Sequence, residues 1–183
     1  MTRPYTISAF TENTPGVLHR ITALFTRRKV NVESLTVSET EKKGISRFTI
    51  VVHTDSALAI KIARQIRRII EVIDVFVADN SELLFKEIAL YKLRTPTPQV
   101  RSSIEELAHR HQAYVVHADD AFLVVEKTGS EDQISSLFRL LEPFGIDEFV
   151  RSGRVAILTG SPVVDNVAVV SDEAERSEGS CII

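Results

Sequence analysis

Asn13-Thr14-Pro15-Gly16-Val17-Leu18 stands where a strand-like run gives way to a helical one, and Asn31-Val32-Glu33-Ser34-Leu35 follows that helical run. At such a junction the first backbone N–H groups of a helix have no partner within it, and the helix dipole presents its positive end. Gly16 has no side chain and lets an anion approach the N–H groups of Gly16, Val17 and Leu18. Asn13 and Asn31 carry amides able to accept from an ammonium or donate to a carboxylate. Together these groups suit a zwitterionic amino acid. The same residues also fit a purely structural reading, in which Asn13 caps a turn and Asn31 starts a strand.

Other reactive residues form no constellation. His109 and His111 stand at a predicted helix end, with spacing unlike H-E-x-x-H and no third ligand in the pattern, so they read as a solvated terminal turn. Asp119-Asp120 invites a carboxylate-pair reading, but Asp-rich dipeptides between two strands mark hairpin turns. There is no G-x-S-x-G, and neither a Walker nor a Rossmann glycine loop. The single cysteine, Cys181, is followed only by Ile182 and Ile183, which excludes an intrachain disulfide, a Cys-based zinc site and a C-a-a-X box. The chain is therefore expected to be non-catalytic, with no metal and no cofactor of its own.

Composition narrows the class further. Of 183 residues, 44% are hydrophobic and 26% charged, with only 7 Gly and 6 Pro, which excludes collagen, mucin and wholesale disorder. Asp and Glu outnumber Lys and Arg by 25 to 22, so no global positive field draws the chain to nucleic acid or anionic lipid. The first residues enter strand-like sequence without an apolar leader, and no apolar run approaches the ~20 residues that span a bilayer. A cytoplasmic location is expected.

The elements that must position Asn13 to Val32 are legible from periodicity. Tyr5, Ile7 and Ala9 alternate with Thr6, Ser8 and Phe10, as in a half-buried strand. Thr14 is predicted as helix N-cap, with Pro15 at the first helical position. Val17, Ile21, Leu24 and Phe25 make one helical stripe. Residues 31–40 and 45–54 read as a hairpin around Glu41 to Gly44. A helix opening at Ser56 carries Leu58, Ile62, Ile66 and Ile69, and Val72, Val75 and Val77 close the unit as a strand.

The order βαββαβ repeats. A strand over 84–95 leads to a helix opened by Thr97-Pro98 with Val100, Ile104, Leu107 and Ala108 on one stripe. A hairpin over 112–127 follows, then a helix from Ser130 with Ile134, Leu137, Phe138 and Leu141, and a last strand over 146–158. The fold class is α+β: two ferredoxin-like βαββαβ domains, at 4–79 and 84–160, before an acidic, flexible tail at 161–183. Arg20, Arg27, Arg28 and Lys29, like Lys61, Arg64, Arg67 and Arg68, read as solvated helix faces or as a dock for an acidic partner. On the sheet side away from the helices fall Thr6, Ser8, Ser34, Thr36, Ser38, Thr49 and Val51, with Phe10 but no aromatic platform, so RNA binding is disfavoured.

The runs Glu12 to Ile21, Asn31 to Val37 and Arg151-Ser152-Gly153 resemble the regulatory small subunit of acetolactate synthase, also called acetohydroxyacid synthase, over residues 4–160. The resemblance implies that the first domain is an ACT domain. It implies a branched-chain amino acid, typically valine, bound between the ACT domains of two chains as a feedback inhibitor. Asn13, Gly16, Val17 and Leu18 would hold it from one chain, with Asn31 and Val32 reaching it from the partner. It also implies a separate catalytic subunit, carrying thiamine diphosphate, magnesium and FAD, that the small subunit activates. Lys29 stands where that family often has Gly, and His19 where a small polar residue is common. The rival reading is a stand-alone ACT-domain amino-acid sensor controlling another enzyme or transcription.

Overall fold

The structure, a computed structural model, describes residues 2–159. The tail expected over 161–183 lies outside the described residues. Two compact units emerge: one holds the chain up to Leu84 and again from Ala156, the other holds Phe85–Val155.

The first unit runs β1 (Arg3–Glu12), α1 (Val17–Arg27), β2 (Val32–Glu39), β3 (Ile45–Thr54), α2 (Ser56–Ile66) and β4 (Val72–Asp79). Its antiparallel sheet has the order β2-β3-β1-β4, so β2 and β4 are edges. Alternation sends Tyr5, Ile7 and Ala9 of β1 toward the helices, where they join Val17, Ile21, Leu24 and Phe25 of α1 in one core. From α2 the core takes Ala59, Ile62, Ala63 and Ile66, while Leu58 and Ile69 pack at its margin. Each fully buried aliphatic side chain here is worth roughly 1.5–3 kcal/mol of transfer free energy, which is why the helical stripe so closely foretells the packed face.

The start of α1 differs from expectation, whereas α2 opens at Ser56 as expected. The residue preceding α1 is Gly16, in the left-handed region at φ 89°, and no side chain caps it. Thr14 and Pro15 belong to the turn instead, because a left-handed residue between them and Val17 breaks the run of helical dihedrals that an N-cap needs. For α2 the cap is Asp55, whose Oδ1 accepts from the Leu58 N–H at 2.9 Å.

Helix α1 ends by a reversal at Lys29, whose φ is 55°. The Lys29 N–H donates to Thr26 O and the Val30 N–H to Phe25 O, each at 3.1 Å, the hydrogen-bond pattern of a Schellman closure. Glycine is favoured at that position because it alone adopts φ > 0 without penalty.

In the second unit come β5 (Leu83–Arg94), which begins in the first, then α3 (Pro98–Arg110), β6 (Tyr114–Ala118), β7 (Phe122–Gly129), α4 (Glu131–Leu141) and β8 (Ile146–Arg151). A short β9 (Val155–Leu158) pairs with β5, beside the path β6-β7-β5-β8. Thr97 caps α3 with Pro98 inside its first turn, and Ser130 with Gln133 forms a capping box on α4. The α3 terminus repeats the α1 closure, with Gln112 at φ 54° and the Ala113 N–H donating to Ala108 O at 2.8 Å. The internal repeat thus extends to backbone detail.

The last strand expected over 146–158 is two strands. Ser152 makes the break: its Oγ accepts from the Ile88 N–H at 2.9 Å and donates to Gly153 O at 2.8 Å, which turns the chain out of the ladder after Arg151. Two ferredoxin-like βαββαβ units therefore make up the α+β fold.

Candidate functional site

The start of α1 is built by the turn that leaves β1. The Asn13 N–H donates to Gly44 O at 2.8 Å and the Thr14 N–H to Glu12 O at 3.0 Å, which fixes the backbone before Gly16. Gly16 then turns left-handed, its carbonyl accepts the first helical bond from the Arg20 N–H at 3.1 Å, and the N–H groups of Val17, Leu18 and His19 precede that bond. With no side-chain cap and no acidic residue in the first turn, nothing within the helix offsets its positive end. A Cβ placed on Gly16 would meet nothing within 4 Å, so the space before the helix is open.

The six expected residues do not all present side chains to that space. Asn13, Gly16 and Leu18 are exposed, Leu18 by 46%, whereas Val17 is a core residue that can offer only its N–H. Nearby, the Arg20 guanidinium donates to Glu71 Oε1 at 2.6 Å and is committed to that ion pair. Asn31 and Val32 are elsewhere. Glu12 lies opposite Ile45 and Val32 opposite Val52, so seven residues of β3 separate the two ends, about 24 Å at ~3.4 Å per residue. A single chain holds the halves of the expected site at opposite ends of one sheet.

The other chemical candidates resolve into structural roles. Asp119 Oδ1 accepts from the Ala121 and Phe122 N–H groups at 2.8 and 2.9 Å, the bonds of a hairpin turn, and these hold its carboxyl below the usual range. His109 and His111 occupy the end of α3, where His111 is the C-cap. No group of three or more potential metal ligands occurs among the described residues, and no helix among them is long and apolar enough to cross a membrane.

Periodicity did not point to two features. In the second unit Glu87 is buried with Arg154, at 3.8 Å, and lies 3.5 Å from Arg151, whose Nη1 also reaches Glu131 at 3.0 Å. Burial outweighs the two guanidiniums and pushes the Glu87 carboxyl up. Arg151-Ser152-Gly153 thus serves locally to end β8 and to charge-compensate Glu87. In the first unit the sheet face away from the helices is covered: Thr6, Ser8, Thr49, Val51 and Ala78 are all buried. The signal for that cover was available in Val51 and Ala78, apolar residues on a side otherwise rich in hydroxyls.

Comparison with known proteins assigns both units. The family described as an AHAS small subunit-like ACT domain matches residues 7–74, and the family described as the small subunit of acetolactate synthase matches residues 86–160. The acetolactate synthase small subunit of Mycobacterium leprae is 41% identical over 156 residues, covering 85% of this chain and 92% of that protein. A probable acetolactate synthase small subunit of Archaeoglobus fulgidus is 38% identical, covering 86% and 98%. The crystal structure of the Thermotoga maritima small subunit superposes with a TM-score of 0.79 at 28% identity, over 87% of this chain and 99% of that one.

A βαββαβ unit with an open helix terminus after β1, matched to the ACT family, places the chain in the class of ACT-domain regulatory proteins. Within that class the second unit is decisive. The chain belongs to the acetolactate synthase small-subunit family, as a regulatory subunit with an N-terminal ACT domain.

Proposed function

We propose that this regulatory subunit binds a branched-chain amino acid, valine foremost, at the α1 terminus, and so feeds back on a catalytic subunit that it otherwise activates. The observation that carries the reading is Gly16, left-handed at φ 89° before an uncapped helix. Three consecutive N–H groups and an unopposed dipole favour a carboxylate, the amide of Asn13 adds a polar contact, and exposed Leu18 offers hydrocarbon to an aliphatic side chain.

A dimer completes the site in this reading. The span of about 24 Å along β3 between the partners of Glu12 and Val32 excludes one chain from using all six residues on one small molecule, whereas β2, a sheet edge, can pair with a second copy. Antiparallel joining of two β2 edges brings the Asn31-Val32 end of one chain toward the opposite end of the other. Thiamine diphosphate, magnesium and FAD then belong to the catalytic partner, and the domain bounds 4–79 and 84–160 mark sensing and coupling halves. The setting is the cytoplasm.

Calorimetric titration of the full chain with valine, leucine and isoleucine, with sedimentation at micromolar concentration, tests this. The expected result is a dimer that binds valine in the micromolar to millimolar range and transmits inhibition to the reconstituted enzyme. A monomer with and without valine, or the absence of heat for all three amino acids, refutes it.

A further inference from the structure

The covered face of the first sheet is hollow. Thr6, Ser8 and Phe10 of β1, with Phe76 and Ala78 of β4, floor a cavity of about 290 Å³ over which Leu83, Ile157 and Leu158 stand. The pairing explains why these residues meet: Thr6 opposes Ala78, Ser8 opposes Phe76 and Phe10 opposes Arg47, and residues directly opposed project from one face. Small-molecule sites span roughly 300–1,000 Å³, so this one suits a metabolite rather than a cofactor. Every cavity residue belongs to the first unit.

Among the described residues Arg47 supplies the only full charge in the lining. Its guanidinium stacks over Phe10 at 5.3 Å, and Nη2 donates to Ala156 O at 2.5 Å. Its Nε is buried without a hydrogen-bond partner. Among the described residues no carboxylate lines the cavity; Asp74, across Phe10 on the same face, accepts instead from the Val75 N–H at 2.8 Å. Burial without a counter-ion draws the Arg47 pKa down. An unsatisfied donor on a partly desolvated cation, beside the hydrocarbon of Phe76, Leu83 and Ile157, is an arrangement that an incoming anion relieves.

We propose that this cavity binds a short-chain aliphatic carboxylate lacking an ammonium group, with the carboxylate on Arg47 and the hydrocarbon between Phe76, Leu83 and Ile157. The described lining offers an ammonium no carboxylate, which separates this site from the amino-acid site at α1. Because Arg47 also holds the Ala156 carbonyl, occupancy bears on how the returning strand sits against the sheet.

The probe is 3-methylbutanoate, with 3-methylbutanamide as its uncharged isostere, titrated into the full chain labelled at Ile and Leu methyls, first without valine and then with valine added in excess. Saturable shifts at Leu83, Ile157 and Leu158 are expected, with the acid binding at least tenfold tighter than the amide. Arg47→Gln is expected to weaken the acid at least tenfold and leave the Ile21 and Ile62 methyl signals in place. Arg47→Lys, which keeps charge and loses the fork, is expected to fall between. Equal binding of acid and amide, shifts confined to other methyls, or displacement by valine overturns the assignment. Should Arg47→Gln not fold, the acid-to-amide ratio in the unaltered chain decides alone. Failure of valine to bind would count against the amino-acid site and leave this cavity's result standing.

Discussion

Gly16→Asp puts a carboxylate where the effector's own carboxylate is proposed to dock. Its structural consequence can be separated from its electrostatic one. A Cβ at Gly16 meets nothing within 4 Å, so Gly16→Ala adds no clash and carries only the cost of an L residue at φ 89°, roughly 1–2 kcal/mol. Asp carries the same backbone penalty, offset by about 0.3–1 kcal/mol because an anion at a helix N-terminus is favourable. The Asp variant should therefore be at least as stable as the Ala variant. For ligand binding the order reverses. An anion at an exposed helix N-terminus gains about 0.3–1 kcal/mol, and 1.4 kcal/mol is a factor of ten, so losing that contact weakens valine by up to about fivefold, before repulsion by the new carboxylate. Calorimetric titration of the three proteins with valine, beside urea melts, reads both quantities. Wild-type affinity in Gly16→Asp refutes the site. Equal loss of affinity in Gly16→Ala and Gly16→Asp refutes the charge argument and assigns the effect to backbone strain.

Lys29→Gly is expected to stabilise the first unit by roughly 0.5–1 kcal/mol, because it removes the left-handed penalty at φ 55° at some entropic cost in the unfolded chain; an unchanged urea midpoint contradicts this. Tyr91, wholly buried and donating to Ile134 O at 2.8 Å, has its phenol pushed up to about 12 by burial. A raised acid pKa means that the folded state keeps the proton longer, so Tyr91 stabilises fully below about pH 10 and loses that contribution as pH rises toward 12. Tyr91→Phe should cost about 1 kcal/mol at neutral pH and erase this fall; parallel stability curves for the two proteins between pH 8 and 12 speak against it. A chain ending at Ser81 lacks Leu83, Ile157 and Leu158, so it uncovers Ala78 and Phe76 and is expected to melt earlier and self-associate; a melting point equal to that of the full chain excludes a stabilising cover.

Local chemistry made most of the architecture legible. The stripe Val17, Ile21, Leu24 and Phe25 is the buried face of α1, and the alternation of Tyr5, Ile7 and Ala9 is the core face of β1, because each pattern repeats at its element's own period. Thr97-Pro98 and Ser130 to Gln133 mark helix starts because a cap bonds within three residues of itself. The α1 start lies two residues beyond the expected one for a related reason: Thr14 and Pro15 have the right types, but the backbone region that Gly16 adopts is set by the turn held through Asn13 and Gly44. The six residues of the proposed effector site could be named from the chain, yet their division between two ends of one sheet follows from the register of β3 against β1 and β2. What covers the helix-free face, and the guanidinium beneath that cover, depends on Arg47 meeting Ala156, 109 positions along the chain. No period or cap spans such a distance, and only the return of the chain from the second unit to the first brings those two groups together.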